Sequence, residues 1–394
     1  MRVPLLDLSE QYRALATEIG RAIDDVLASQ RFILGPKVEA FERAAADYCG
    51  TRDSIGVSSG TDALLAVFMA LGIGKGDAVI TSPYSFFATA AGVTRTGATP
   101  LFVDIDPSTY NISPTALEFF LKTRSHRTGD KLVTDTGLTI RAIVPVHLFG
   151  LCCDMNSIHR ISEEYQLDVI EDAAQALGAE FNMTHIGRRK AGTMGEVGTF
   201  SFYPSKNLGA AGDAGLIVCR DTEMAAKVRL CRNHGMGPRY YHSFVGGNFR
   251  MDELQAAILS VKLPHLDKWS AARREAATSY ATEFKKAGLS EKVTLPVEPY
   301  ADAGLTNHHI YHQYVVRVPR RNELREHLAR REIQTEIYYP LGLHEQKCFE
   351  YLGYKRGDFP ETERAANETL ALPIYPEISR EAQRHVVTSI AEFF

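Results

Sequence analysis

Short apolar runs alternate with amphipathic stretches along the chain up to about residue 220. Each run is long enough for one buried strand, and the stretches between them have the period of helices. This alternation favours a mostly parallel sheet that is covered by helices on both faces. The pattern therefore predicts an α/β fold with strands at 78–81, 100–104, 142–146, 168–170, 198–202 and 216–219.

The last third of the chain has a different pattern, which predicts a smaller second lobe. A helical period runs from residue 251 to about 285, and Pro264 predicts a kink in it because proline has no amide hydrogen for the helix. After this helix we expect a strand at 314–318, a helix at 323–331 and a strand at 333–338. Together these elements indicate a small α/β unit that packs on the first sheet.

These patterns also set the expected boundaries. We predict a large domain over residues 1–265, including the N-terminal segment, and a small C-terminal domain over residues 266–394. The stretch 122–139 is polar and has no periodicity, so we expect a surface loop there.

Composition narrows the class of protein. The 394 residues are 45% hydrophobic and 23% charged, which is enough to bury a large core. A formal net charge of −4 gives no electrostatic attraction to nucleic acid or anionic membranes. No apolar segment approaches the ~18 residues of a spanning helix, and the first residues are charged where a signal peptide would be apolar, so we expect a cytoplasmic protein. The six cysteines have no paired zinc-ligand spacing, which favours buried thiols.

The stretch TFSFYPSKNLGAAGDAG places one lysine, Lys206, between an apolar strand and a glycine-rich turn. Most lysines are solvated surface charges. Partial burial lowers the pKa of an ammonium group, and the neutral amine can then attack an aldehyde or ketone. The position of Lys206 therefore indicates Schiff-base chemistry.

A carboxylate and a helix start complete a candidate cofactor site. The strand in VIEDAAQA ends at Asp172, which could meet the protonated ring nitrogen of pyridoxal phosphate. In SSGTDAL, Gly60 allows close backbone approach and Thr61 opens a helix whose first amides favour a phosphate. The alternative for SSGTDAL is an ordinary helix cap, because Ser, Thr and Asp are the usual cap residues.

A series of short motifs extends these matches over nearly the whole chain. They are, in order, LLDLSEQY, FILGPKVEAFE, SSGTDAL, SPYSFFATA, PVHLFG, EDAAQALGA, FSFYPSKNLGAAGDAG, RNHG, GGNFRMDELQAAIL and IYYPLGLH. In this order and spacing the chain resembles the DegT/DnrJ/EryC1/StrS family of pyridoxal-phosphate-dependent nucleotide-sugar aminotransferases. The resemblance implies the fold-type I architecture, with a mostly parallel sheet of the seven-stranded type, flanking helices and a smaller C-terminal α/β domain.

The resemblance also implies roles for individual residues at the cofactor. Lys206 matches the lysine that holds the cofactor and then moves the proton, and Asp172 matches the partner of the ring nitrogen. Gln175 matches the position that contacts the phenolic oxygen, although it could simply be a polar residue at a helix start. Phe86 matches the aromatic residue that stacks on the ring, with its neighbour Phe87 as the competing candidate.

Further positions are implied by the same motifs. Ser201 matches a hydroxyl that binds phosphate, and Asn248 matches a residue donated to the phosphate of the neighbouring subunit, which implies a homodimer with shared sites. Tyr338 and Tyr339 match a pair that faces the sugar. Arg250 falls within the matching GGNFR motif and is a candidate for holding the sugar and its anionic groups. The local alternative for the two tyrosines is an ordinary strand end before a proline.

For three sets of polar residues, the sequence is consistent with either a role in the site or a structural role. His147 follows a strand and resembles a position near the active site, but a buried core histidine is equally consistent. Residues 307–313 are rich in histidine but lack metal-ligand spacing, so we expect no metal and instead a strand entry beside the substrate channel. Arg232, Arg239 and the tyrosines after Arg239 could line a diphosphate site or belong to a solvated loop.

The resemblance thus implies an enzyme that converts a nucleotide-linked keto sugar to an amino sugar, with L-glutamate as the expected donor, in polysaccharide or antibiotic sugar biosynthesis. The motifs resemble enzymes that act on 3-keto hexoses linked to UDP or dTDP. The alternatives are a 4-keto sugar aminotransferase, a related sugar dehydratase and a cofactor-free sensory protein. Lys206 and Asp172 argue against the last two. No nicotinamide-binding G-x-G-x-x-G at a strand end and no P-loop occurs in the chain.

Overall fold

The computed structural model describes residues 1–394 and contains one large sheet, two small sheets and helices on both faces of the large sheet. The strands are β1 Asp53–Val57, β2 Asp77–Thr81, β3 Thr99–Phe102, β4 Ser125–Thr128, β5 Lys131–Thr134, β6 Thr139–Val144, β7 Asp168–Asp172, β8 Glu180–Met183, β9 Gly187–Lys190, β10 Val197–Ser201, β11 Gly215–Cys219, β12 Tyr314–Arg317 and β13 Thr369–Leu372. The helices are α1 Ser9–Ser29, α2 Pro36–Cys49, α3 Gly60–Ala70, α4 Ala88–Arg95, α5 Pro114–Arg124, α6 Met155–Tyr165, α7 Thr222–Arg232, α8 Glu253–Lys262, α9 Leu266–Lys286, α10 Arg321–Arg330, α11 Pro360–Glu368 and α12 Arg380–Ala391.

The large sheet has the strand order β1-β11-β10-β7-β6-β2-β3. Strands β10, β7, β6, β2 and β3 pair in parallel, whereas β11 is antiparallel to both of its neighbours. The predicted mostly parallel α/β fold is therefore confirmed, and all six predicted strands of this sheet form.

The predicted surface loop at 122–139 is wrong. Helix α5 continues to Arg124, and β4 and β5 then form an antiparallel hairpin, joined to the large sheet through β5 and β6. Gly129 lies in the hairpin turn with a φ of +63°, a conformation that glycine adopts easily. Three of the four residues of β4 are exposed, so this strand has no apolar alternation by which a sequence pattern could reveal it.

The two faces of the large sheet have separate cores because successive side chains of a strand point to opposite sides. In β6, Ile143 packs with helices α1, α2, α5, α6 and α8, while Ala142 and Val144 pack with α3, α4 and α7. In β7, Val169 and Ile170 divide in the same way. The sheet is thus buried on both faces, as expected for parallel strands.

A third core lies beside the large sheet and is built on β12, β13, α10 and α12. Helix α9 joins it to the first core, because Leu266 and Trp269 pack with the large sheet while Tyr280 and Phe284 pack in the smaller unit. Val3 also packs in the smaller unit. The division into domains 1–265 and 266–394 stays a prediction.

Two expectations for this second unit had different outcomes. The helix predicted from residue 251 is interrupted at Pro264, where a short turn of 3₁₀ helix separates α8 from α9. The predicted strand at 333–338 is wrong, because this segment makes only isolated bridges, from Ile333 to Val3 and from Glu336 to Ala371.

No helix of the protein is both long enough and apolar enough to cross a membrane.

Candidate active site

A cavity of about 680 Å³ opens where β7 and β10 end and helix α3 begins. Asp172 is the last residue of β7 and Ser201 is the last residue of β10, so both lie at the same edge of the sheet. The carboxyl ends of parallel strands are the usual place for a ligand in an open α/β sheet. Of the sequence-predicted site residues, the cavity is lined by Gly60, Thr61, Phe86, Asp172, Gln175, Ser201, Lys206, Tyr338 and Tyr339.

Lys206 reaches the cavity from the turn that follows β10. Its backbone amide donates to the carbonyl of Tyr203 (2.8 Å), which closes the turn. The chain is tight here, because a Cβ added at Gly209 would lie 2.2 Å from the carbonyl oxygen of Pro204. Burial lowers the pKa of Lys206 to about 8, and the negative charge of Asp172 opposes this shift only in part. A substantial fraction of the amine is therefore neutral near physiological pH.

Asp172 is a buried carboxylate that accepts two hydrogen bonds. Thr89 Oγ1 donates to its Oδ2 (2.7 Å), and the amide of Ala174 donates to its Oδ1 (3.2 Å). Burial raises the pKa of Asp172, although these bonds and the charge of Lys206 act in the opposite direction. Thr89 was missed by the sequence analysis. It lies in SPYSFFATA, one helical turn after Ser85, to which it also bonds (3.0 Å).

The first turn of helix α3 forms one end of the cavity. Ser59 caps the helix by accepting the amide of Asp62 (3.0 Å), so the amides of Gly60 and Thr61 lie ahead of the first intrahelical bonds. Gly60 packs tightly against the end of β10, since a Cβ added to it would lie 2.7 Å from Cβ of Ser201. This end offers backbone amides and a hydroxyl, a donor set that fits a phosphate.

The two adjacent phenylalanines of SPYSFFATA lie in different places. Phe86 lines the cavity, is 58% exposed, and its ring centroid lies 6.3 Å from that of Tyr339. Phe87 does not line the cavity and packs against Phe349 with the ring centroids 5.6 Å apart. Only Phe86 can therefore contact a planar ligand in this cavity.

Gln175, Tyr338 and Tyr339 line the cavity together. Gln175 Oε1 accepts the amide of Phe149 (2.7 Å), and its Nε2 donates to the hydroxyl of Tyr339 (3.1 Å). The carbonyl of Tyr338 accepts the hydroxyl of the buried Tyr84 (2.7 Å). Gln175 is thus held by both lobes of the protein rather than being a plain helix-start residue.

Asn248 and Arg250 are the two predicted site residues that do not line this cavity. Asn248 forms a backbone bridge with Asn233, and Arg250 donates to the side-chain oxygen of Asn233 (2.8 Å). Arg232 is buried in an ion pair with Glu42 (2.5 Å), which gives it a structural role. The loop that carries Arg239 is exposed.

The histidines divide between core and cavity. His147 is fully buried, donates from Nε2 to Glu171 (2.7 Å) and accepts the amide of Cys153 at Nδ1 (3.0 Å), so it is a core histidine. In the segment 307–313, His308 bonds to Glu298 (3.2 Å), while His312 and Gln313 line the cavity. His312 and Gln313 were missed as individual site residues because they lie more than 100 positions after Lys206 and match no short motif.

The donor set fits pyridoxal phosphate. An amine with a lowered pKa is available for its aldehyde, a buried carboxylate for its ring nitrogen, an exposed aromatic face for its ring, and helix amides with a hydroxyl for its phosphate. These groups come from four segments far apart in the sequence and converge on one cavity. The fold and this site together define a fold-type I, pyridoxal-phosphate-dependent aminotransferase.

The family follows from comparison with known proteins. The family model described as the DegT/DnrJ/EryC1/StrS aminotransferase family matches residues 13–391, so the chain belongs to this family. The chain is 46% identical over 394 residues to a Geobacillus stearothermophilus protein named pleiotropic regulatory protein, covering 100% of this chain and 99% of that one.

Two further similarities concern enzymes. The chain is 38% identical over 388 residues to the UDP-N-acetyl-3-dehydro-alpha-D-glucosamine 3-aminotransferase of Acidithiobacillus ferrooxidans, covering 98% of this chain and 97% of that one. Among solved structures, S. venezuelae DesV in complex with a ketimine intermediate superposes with a TM-score of 0.89 at 37% identity, covering 100% of this chain and 98% of DesV.

Proposed function

We propose that this protein transfers an amino group to a keto carbon of a hexose carried on a nucleotide diphosphate. The observation that carries the proposal is the pairing, in one cavity, of an amine whose pKa is lowered to about 8 with a buried carboxylate whose pKa is raised. Shifts of this kind concentrate at catalytic sites. They support an enzymatic role over a sensory one.

The residues of the cavity supply distinct parts of this activity. Lys206, Asp172, Gln175 and Phe86 would hold the aldehyde, ring nitrogen, phenolic oxygen and ring of pyridoxal phosphate, and Gly60, Thr61 and Ser201 its phosphate. The bound cofactor supplies an electron sink that stabilises negative charge on the substrate carbon.

Lys206 has a second role as the base of the cavity. With a pKa of about 8, roughly a tenth of its Nζ is neutral at pH 7, against less than about 0.1% for an ordinary lysine. The neutral Nζ takes a proton from the substrate carbon and later returns one. The negative charge of Asp172 favours the ammonium form that results.

For the substrate we propose a 3-keto hexose linked to UDP or dTDP, with L-glutamate as the amino donor. The similarity to the Acidithiobacillus relative, which is named as a 3-aminotransferase of a UDP-linked 3-dehydro sugar, supports amination at carbon 3. Tyr338 and Tyr339 would face the sugar. The runner-up is a 4-keto sugar, because selection between the carbons depends only on how the hexose is oriented in the cavity.

We also propose a homodimer in which Asn248 and Arg250 complete the site of the neighbouring subunit. Both residues lie outside the cavity of their own chain, and the segment between them and Tyr240 exposes large apolar side chains, including Phe244 and Val245. Dilution that dissociates the dimer should then also release the cofactor. A monomer that keeps its cofactor in sedimentation would contradict this assembly.

The test offers the purified enzyme L-glutamate with a panel of 3-keto and 4-keto sugars on UDP and dTDP, and follows 2-oxoglutarate. We expect turnover of 3-keto sugars. Turnover of 4-keto sugars alone would move the reaction to carbon 4, and no turnover of any nucleotide sugar by protein that carries the cofactor would contradict the proposed function.

A further inference from the structure

His312 lines the same cavity as Lys206 but enters it from the second lobe, on the segment that leads into β12. The residue is buried, with 7% of its surface exposed. Its backbone is fixed by the buried Arg273, whose Nη1 donates to the carbonyls of Tyr311 (3.1 Å), His312 (3.3 Å) and Ile374 (3.0 Å). The imidazole is therefore presented to the cavity by a rigid support.

Asn207 determines which ring nitrogen of His312 carries the hydrogen. This asparagine directly follows Lys206 and is buried. Its Nδ2 donates to the carbonyl of Ile310 (3.1 Å), which assigns the opposite side-chain atom, Oδ1, as the acceptor. Because Oδ1 lies 3.0 Å from His312 Nδ1, the hydrogen must be on Nδ1. The neutral ring then has an unprotonated Nε2.

Nε2 of His312 has no hydrogen-bond partner in the protein and is not sealed from the cavity. Burial holds the pKa of His312 well below its usual range, and the two charged groups that act on the ring, the cations Lys206 and Arg273, lower it further. The carboxylate of Asp172 lines the same cavity, but it bonds to Thr89 and Ala174. The ring is thus a neutral acceptor over the physiological range of pH.

We propose that His312 Nε2 is a substrate-contacting hydrogen-bond acceptor, which Asn207 keeps free of a proton and which binds a hydroxyl or amino hydrogen of the hexose. The inference rests on the proposed function, because the donors that it assigns to this acceptor are those of a sugar substrate. A neutral acceptor suits this task, since it binds a donor without burying another charge. A ligand that lacks the donor would leave Nε2 without a partner, which makes the contact selective.

Two substitutions of His312 distinguish the roles of its two ring nitrogens. His312→Asn keeps a donor where Nδ1–H lies and removes the acceptor at Nε2, while His312→Gln places an amide oxygen near the position of Nε2 and gives up the bond to Asn207. We expect kcat/KM for the sugar to fall about tenfold to a hundredfold in His312→Asn, the cost of one lost hydrogen bond in a buried site. His312→Gln should recover at least part of this loss.

The half-reaction with the amino donor serves as the control. It proceeds without the sugar, so its rate and the visible absorbance of the bound cofactor should fall much less in His312→Asn than the rate of the sugar reaction does. If the sugar reaction of His312→Asn equals that of the parent, the inference is overturned. A parent enzyme that turns over no nucleotide sugar would instead contradict the proposed function, so the two failures are distinguishable.

A measurement without turnover tests the tautomer. Ring ¹⁵N chemical shifts of the parent protein, assigned by comparison with His312→Gln, should show a protonated Nδ1 and a bare Nε2 from pH 5.5 to 8.5. In Asn207→Asp the carboxylate would favour the imidazolium and raise the pKa of His312, so Nε2 should become protonated as the pH falls. A parent ring that carries its hydrogen on Nε2 would contradict the inference.

Discussion

Glu171 and Asp172 are neighbours on β7, but their side chains lie on opposite faces of the sheet and in different surroundings. Glu171 is sealed from solvent and accepts hydrogen bonds from the amides of Gly192 (2.7 Å), Met194 (2.6 Å) and Gly195 (2.6 Å), and from His147 (2.7 Å). Asp172 accepts only two hydrogen bonds and faces the cavity of Lys206.

The difference shows how one strand can serve both stability and chemistry. The carboxylate of Glu171 is fully compensated by donors, so it fixes the loop after β9 and has nothing left to offer a ligand. Asp172 keeps part of its bonding capacity free, and its burial disturbs its proton equilibrium. We therefore expect substitutions on the face of Asp172 to lower the activity, and substitutions on the face of Glu171 to lower the stability of the fold.

The largest effect on activity is expected from a substitution in the cavity that Asp172 faces. Lys206→Ala removes both the amine that holds the cofactor and the base that moves the proton. We expect kcat to fall by several orders of magnitude, with the melting temperature nearly unchanged. Steady-state rates and calorimetry measure the two quantities. Parent-like turnover would refute the assignment of Lys206.

Asp172→Asn should have the next largest effect. The amide keeps the size of the side chain and its bond to Thr89 but loses the negative charge that would hold the ring nitrogen in its protonated form. We expect kcat to fall about a hundredfold to a thousandfold. Denaturant unfolding should show only a small change, and a large loss of stability with normal activity would reverse the roles given to the two carboxylates.

Glu171→Gln tests the carboxylate that is sealed from solvent. The substitution removes the charge that accepts three amides and places an NH₂ group among donors, so we expect a loss of about 3 kcal/mol in the free energy of unfolding. The activity per folded molecule should remain within about threefold. If activity is lost while the unfolding curve is unchanged, the separation between the two faces does not hold.

The smallest expected effect compares Phe86 with Phe87. Phe86→Ala removes the only one of the two rings that lines the cavity, so the cofactor should bind about tenfold more weakly. Phe87→Ala removes a contact with Phe349 and should cost about 1 kcal/mol of stability with normal cofactor affinity. Equilibrium dialysis of the cofactor separates these outcomes, and equal weakening in both variants would contradict the placement.

The sequence was most informative where the local pattern of one segment determines both the burial and the position of a site residue. Asp172 ends one apolar strand and Lys206 follows another, so their burial and their place at the sheet edge could be predicted from local pattern. Thr89, His312 and Gln313 reach the cavity through tertiary packing, and their segments did not show which of their residues would line it. The choice between Phe86 and Phe87 also needed the structure, because a turn sets which ring faces the cavity.

The same distinction applies to the fold. The buried strands of the large sheet were predictable because both faces of parallel strands are apolar. The hairpin β4–β5 was not, because β4 is polar and mostly exposed and is held by pairing rather than by burial. At 333–338 the opposite error occurred. The apolar pattern there reflects packing against Val3 and the second core, without a continuous ladder of backbone hydrogen bonds.

The bridge between Val3 and Ile333 affects the order in which the protein assembles during synthesis. A hydrogen bond from Leu5 to the side chain of Gln334 lies beside this bridge and joins positions 329 residues apart. Loop closure over such a separation costs entropy before any contact forms, which slows folding. The large sheet is complete once residue 219 has been made, whereas the second core needs Val3, α9 and Ile390 together. During synthesis on the ribosome, residues 1–8 can therefore form their native contacts only after nearly the entire chain has been made.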